Sequence, residues 1–188
     1  VTKGEQKVAA AWVPPGMADA VPTADFRGVG GDFFKDADVE TAKKLLAEAG
    51  YPEGKGLPPI ELIYNTNDVH KAIAEAIQEM WRKNLGVTVS LANQEWKVFI
   101  NTRSKGSYQI ARHGWIGDYA DPMTFIDMFD SNSGNNDSQY KNAQYDNLVR
   151  LAKSTGNQEI RMKAMHEAEK LLLEDAVIAP VYFYTRVT

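Results

Sequence analysis

The sequence predicts an α/β fold with a mixed, mostly parallel sheet covered by helices on both faces. Three observations predict it: alternating apolar runs near Ile60–Tyr64 and Val87–Leu91, a long helical stripe between them, and amphipathic segments on either side. A strand–helix–strand unit with a crossover of about 20 residues normally places its strands parallel.

To about Lys35 the chain is irregular, with Pro14, Pro15, Gly16, Pro22, Gly28, Gly30 and Gly31 broken only by the apolar run Val8–Val13. Loops of this length are uncommon inside a domain, so the segment is expected on a surface supplied by other structure. Asp38 starts a helix as N-cap, with Val39, Ala42, Leu45, Leu46 and Ala49 on one face and Gly50 and Pro52 as its stop. Ile60, Leu62 and Tyr64 alternate as a strand, and Asn65 to Asp68 offer caps. The long helix carries Val69, Ala72, Ile73, Ala76, Ile77, Met80 and Trp81, and Gly86 closes it. Val87, Val89 and Leu91 form the next strand; Trp96, Phe99 and Ile100 mark a short helix; Tyr108–Trp115 reads as a third strand. Asp121–Pro122 supplies an N-cap and a Pro at N1. Two more helices lie around Ala143–Ser154 and Gln158–Glu174, the second with Ile160, Ala164, Ala168, Leu171 and Leu172, and a last strand runs Val177–Tyr184. No internal repeat is visible.

Composition narrows the function. With 188 residues, 44% apolar and 24% charged, the chain is one globular domain or two small ones. Its net charge, 21 minus 25 or −4, argues against a general nucleic-acid or anionic-membrane binder. The absence of Cys excludes disulfides, thiolate nucleophiles and Cys-ligated zinc. No apolar run approaches the roughly 20 residues of a membrane span. No charged-then-apolar leader opens the sequence at Val1, so the expectation is a mature protein or a piece of a longer one.

Most chemical motifs fail. Asp118, Asp121, Asp127 and Asp130 cluster, but a catalytic pair needs defined spacing and separated pKa values, and Asp121 already suits a helix cap. The stretch from Asp130 departs from a calcium loop at Gly134, Asn135 and Lys141. His70, His113 and His166 lack metal spacing, and His166 is expected exposed on its helix. There is no nucleophile elbow, dinucleotide fingerprint or P-loop. Asn136-Asp-Ser138 matches a glycosylation sequon, a short pattern that arises often by chance. More unusual is Arg112-His-Gly-Trp-Ile-Gly-Asp-Tyr119, at the C-terminal end of a predicted strand, where open α/β sheets place ligands. The bland reading is a buried Trp with flanking ion pairs.

The string Gly114-Trp-Ile-Gly-Asp-Tyr-Ala-Asp-Pro122, with Asn135-Asn136 and Tyr140-Lys-Asn-Ala-Gln-Tyr-Asp-Asn-Leu148, resembles the C-terminal lobe of the oligopeptide-binding proteins. Glu48–Pro52, Ile63–Asp68, Trp81–Gly86, Gln94–Trp96 and Pro180–Tyr184 resemble the same family in the same order, so the match runs from about Glu40 to Tyr184. That family, solute-binding family 5 of ABC importers, comprises extracytoplasmic receptors that close two lobes around short extended peptides.

The resemblance implies one lobe of a type II (cluster C) periplasmic-binding-protein fold spanning 1–188: an irregular hinge-side segment at 1–37 and an α/β core at 38–188, the first lobe lying elsewhere. It implies a non-enzymatic binder in the periplasm or on the extracytoplasmic face of a bacterial envelope, without metal or cofactor. Its partners would be short peptides and, through the whole receptor, the importer permease. Asp118 matches the carboxylate that holds the peptide ammonium. Arg112 and His70 match groups that meet the peptide carboxylate, and Trp96, Arg103, Trp115, Asn135 and Tyr184 match positions lining side-chain pockets. Trp96 and Tyr184 also suit a plain core role. The sequence departs from enteric members at Ile116, where they carry Cys, at Asp121, where they carry Glu, and at His113, where they carry a small residue. Rival expectations are the same receptor class for a murein peptide, a dipeptide, nickel or haem; a hydrolase using Asp118 and Asp121; and an interaction role for the lobe alone.

Overall fold

A computed structural model of the chain describes residues 6–184. The outermost parts of the expected 1–188 lobe, 1–5 and 185–188, lie outside the described residues. The helices are α1 (Phe26–Gly30), α2 (Val39–Glu48), α3 (Asp68–Leu85), α4 (Trp96–Ser104), α5 (Met123–Ile126), α6 (Ala143–Ser154) and α7 (Gln158–Glu174); the strands are β1 (Ile60–Asn65), β2 (Val89–Gln94) and β3 (Ile110–Ala111). They form two compact units. One is Ala37–Gly114; the other joins the residues up to Asp36 to those from Trp115 onward.

The first unit holds the sheet, in the order β2-β1-β3 with every pair parallel. β1 is central because it is apolar on both sides: Leu62, Ile63 and Tyr64 are all buried. Leu62 and Tyr64 pack with Ala74, Val87 and Val89, partly covered by Ile77 and Trp81 of α3 and Leu46 of α2. Ile63 points to the opposite face, and α4, whose Phe99 is wholly buried, contacts β1. The Asn67 side chain caps α3 by accepting from the Val69 and His70 amides, and Gly86 ends it in the left-handed region at φ 68°. Gly86 is needed for a second reason: a Cβ there would collide with the Glu53 carbonyl oxygen.

Two elements differ from expectation here. The third strand pairs with β1 only at Ile110–Ala111, and after the Arg112 amide donates to Ile63 O the chain leaves the sheet. In α2 the capping by Asp38 is as expected, but the helix buries no residue fully and Leu45 of its apolar stripe is exposed.

The second unit is helical. α6 and α7 pack against each other across the short link 155–157, each capped by an Asn, Asn142 and Asn157. α5 and the 3-10 turn Asp127–Phe129 supply Met123, Phe125, Ile126, Met128 and Phe129 to the same core as Tyr145, Met165 and Leu172. Ile160 falls off the buried face of α7, whereas Met162 and Met165 lie on it.

The irregular N-terminal stretch belongs to this core, against the expectation that it would need other structure to lie on. Ala9, Ala11 and Val13 alternate inward and are buried, and Trp12 stands edge-on to Phe125 and Phe129. The expected last strand contributes one antiparallel bridge, Val8 to Tyr182, with the Ala9 amide donating to Val181 O and the Phe183 amide to Lys7 O. His166 is not on the surface either. Its ring stacks on Phe26 at 3.8 Å, and its Nε2 lies 2.8 Å from Asp19 Oδ2.

Glu169 fastens the segment to α7. It is 0% exposed, and its Oε1 accepts from the Trp12 amide (3.0 Å), the Val13 amide (2.7 Å) and Arg27 Nη1 (2.7 Å). Three donors on one oxygen make the buried charge tolerable, and Arg27, itself 8% exposed, depends on it. Glu169→Ala strands that guanidinium in the core. We expect a loss of about 3–5 kcal/mol in urea unfolding of the chain; a loss below about 1 kcal/mol, the scale of a surface pair, contradicts this account.

Candidate functional site

The polar groups that the sheet presents at its C-terminal edge come from turn and strand-end positions. Asn65 and Gln94 are register partners at the last rung of β1 and β2, His70 lies in the first turn of α3, and Arg112 comes directly after β3. Asn65 Oδ1, Gln94 Oε1 and His70 Nδ1 are all buried, and among the described residues no protein group hydrogen-bonds them. Buried polar atoms are rarely left so in native proteins, and edges of parallel sheets are where α/β folds bind ligands. The sequence reading singles out His70 and Arg112 but not Asn65 and Gln94, although their place at strand ends is a usable signal.

Burial and then the neighbouring Arg112 charge hold the His70 pKa below its ordinary value, with the Asn65 backbone pulling the other way. The ring is therefore neutral near pH 7 and gains a proton readily only when an anion approaches. α4 starts beside this edge, immediately after β2. Trp96 is 49% exposed and stacks on Phe99, and Arg103 lies over the same ring at 5.4 Å. The core reading of Trp96 is thus corrected: Phe99 is the core residue, and Trp96 lies outside it.

In the second unit the chain from Trp115 to Pro122 is held in place by the start of α5 and by α7. Trp115 Nε1 donates to Thr124 O at 2.9 Å, and the Asp118 amide donates to Thr124 Oγ1 at 3.0 Å. The expected N-cap falls one residue later, on Pro122; Asp121 Oδ1 accepts from the Met123 amide, while Arg161 Nη1 and Nη2 grip both Asp121 oxygens at 2.8 Å. The two contacts of Arg161 and that of the Met123 amide outweigh burial, which alone would raise it, and hold the Asp121 pKa below its usual range. Asp118 is left exposed between Ile116 and Tyr119, and among the described residues no group hydrogen-bonds or ion-pairs with its carboxylate.

Asp118 and Asp121 therefore have different jobs. A hydrolytic acid–base pair needs one carboxyl with a raised pKa, and Asp121 is shifted the other way by a bidentate ion pair. Tyr119 is raised by burial and by Asp127, Asp121 and Asp118, so it stays a neutral phenol. The expected pocket residues Asn135 and Tyr184 are both exposed. The neighbouring Asn136 is buried, donating to Asp130 O and Tyr140 O and accepting from Ser138 and Tyr140. Its side-chain nitrogen is thus taken up by two loop carbonyls. Tyr184 stands edge-on to Tyr182 and is 46% exposed, so its core reading is also corrected. Among the described residues no cluster of His, Asp and Glu could hold a metal ion, and no helix is long and apolar enough to cross a membrane.

A parallel sheet flanked by helices is the lobe architecture of type II periplasmic binding proteins, the class that the fold defines. Residues 1–137 match the family described as bacterial extracellular solute-binding proteins, family 5 Middle, and the chain belongs to that family. It is 43% identical over 190 residues to the oligopeptide-binding protein OppA of Bacillus subtilis, covering 98% of this chain and 34% of that protein. It is 41% identical over 188 residues to the dipeptide-binding protein DppE of the same organism, covering 100% of this chain and again 34% of the relative. Among solved structures it superposes on Haemophilus influenzae OppA in complex with RPPGFSPFR with a TM-score of 0.80 and 34% identity, over 96% of this chain and 35% of that one. The chain thus spans about a third of the length of the relatives it matches.

The His70 environment gives a pH prediction. Above pH 6.5 the ring is neutral whether the chain is folded or not. As pH falls from 6.5 through the lowered folded value, the unfolded chain takes up more protons, so stability is lost across that window. Proton NMR titration of His70 should give a midpoint below 6.5, and Arg112→Gln should raise it. A midpoint at or above 6.5 in the unaltered chain contradicts the arrangement.

Proposed function

We propose that this chain is one lobe, the second, of an extracytoplasmic receptor that binds short peptides for an ABC importer. The observation that carries the reading is the exposed Asp118 carboxylate, which no cation among the described residues pairs, while its neighbour Asp121 takes Arg161. In this reading Asp118 holds the peptide ammonium through a charge-assisted hydrogen bond. His70 and Arg112 meet the peptide carboxylate, with Arg offering a fork and His a proton. Trp96, Arg103, Trp115, Asn135 and Tyr184 line the side-chain pockets. The peptide backbone lies extended and pairs with protein backbone, which gives affinity without sequence preference.

The supporting facts are membership of a solute-binding family, a relative named for oligopeptides, and a similar structure holding a nine-residue peptide. Closure of a first lobe, carried elsewhere in the receptor, would bury the guest and present a surface to the permease. The receptor would work in the periplasm or on the outer face of the cytoplasmic membrane. A receptor role calls for binding without turnover, and the ion-paired state of Asp121 weighs against hydrolysis. The dipeptide-binding relative favours a second reading, a shorter guest with the same two charged ends.

Isothermal calorimetry on the full-length receptor tests the assignment. Asp118→Ala should weaken binding of a tripeptide with a free amino terminus by about 2–5 kcal/mol, the range for one partner lost from a buried charge pair. Unchanged affinity contradicts the role of Asp118. The same titration with dipeptides separates the second reading. The 188-residue chain alone should bind these peptides weakly or not at all, because a wall of the pocket is missing; submicromolar binding by the lone chain contradicts the one-lobe reading.

A further inference from the structure

We infer that Thr124 is the positioning residue for Asp118, and this rests on the reading that Asp118 holds the guest ammonium. Thr124 is 2% exposed at the start of α5, and three hydrogen bonds tie it to the preceding loop. Its hydroxyl oxygen accepts the Asp118 amide at 3.0 Å, and its carbonyl accepts Trp115 Nε1 at 2.9 Å. Its amide donates to Asp121 O at 3.2 Å, and its methyl lies 3.0 Å from where a Cβ on Gly117 would sit. Of the three hydrogen-bonding groups only the hydroxyl belongs to the side chain, and it is the one that holds the backbone amide of the residue that carries the charge.

The physical reason for such a device is that Asp118 is exposed and its carboxylate has no fixed partner among the described residues of its own unit. A carboxylate on a loose loop must be ordered when the guest arrives, and that entropy is subtracted from affinity. Pinning the Asp118 amide in advance leaves only the side-chain torsions to order. The hydroxyl suits the task because it accepts a hydrogen bond while its methyl packs beside Gly117 and Phe125. Gly117 is the other half of the fit: with a Cβ it would also meet Phe125 Cε2 at 3.1 Å, and the loop would be lifted from the hydroxyl.

The test uses the full-length receptor and two probes, trialanine and N-acetyl-trialanine, which lacks the ammonium. Thr124→Val keeps the volume and removes the acceptor; Thr124→Ser keeps the acceptor. We expect Thr124→Val to weaken trialanine binding about tenfold, the scale of one hydrogen bond, and Thr124→Ser to stay within about twofold of wild type. Neither should alter whatever affinity remains for the acetylated peptide. Hydrogen exchange at the Asp118 amide should speed up in Thr124→Val and not in Thr124→Ser. Gly117→Ala should reproduce the Thr124→Val pattern by a different route, and it decides the matter should Thr124→Val fail to fold. Equal losses for both peptides mark a general structural role and overturn the inference, as does wild-type binding of trialanine by Thr124→Val. Failure of the underlying reading looks different: Asp118→Asn then binds trialanine as wild type does, whatever Thr124 does.

Discussion

A carboxylate can capture a guest's ammonium only if its own fold leaves it without a cation and still holds it in place. These demands conflict, because the usual way to fix a carboxylate is to pair it. The loop before α5 separates them. Asp121 is fixed by pairing, through the bidentate grip of Arg161 and the bond from the Met123 amide. Asp118 is held through its backbone, by Thr124, and among the described residues its carboxylate pairs with no group. Two aspartates three positions apart thus have opposite fates, and the burial of Phe125, Ile126 and Met128 below them provides the rigid floor.

The sheet unit solves the complementary problem of presenting acceptors and a cation along one edge. Parallel strands leave their last residues side by side, and here these are Asn65 and Gln94. The cap Asn67 then turns the chain so that His70 comes up in the first turn of α3. Burial, and then the Arg112 charge, lowers the proton affinity of that ring, so the edge carries one fixed charge and one that an approaching anion can recruit.

Much of this was legible in the sequence because the signals were local. The α3 boundaries are set by Asn67 and Gly86, a side-chain cap and a left-handed stop. The parallel pairing of β1 and β2 is set by the length of the crossover between two alternating runs. What was hidden depended on distant partners. Nothing local says that Val8–Val13 packs on α7, since the reason is Glu169, more than 150 positions away, at 2.7 Å from the Val13 amide. For the same reason His166 reads as exposed on its own helix and is in fact stacked on Phe26. The third strand was overestimated because the chain leaves the sheet after Arg112 although its partner β1 runs on to Asn65, and nothing in the local pattern marks that departure. At the site, charged and aromatic residues stood out, whereas the small polar Thr124 and the amides Asn65 and Gln94 did not, because their importance lies in what they touch or leave untouched.

The most direct measurement is a crystal structure of the full-length receptor with a bound tripeptide. The account predicts the peptide's terminal nitrogen within about 3 Å of an Asp118 carboxylate oxygen, with the Asp118 amide still on Thr124. A peptide whose amino end lies against another acid, with Asp118 facing solvent, would contradict it.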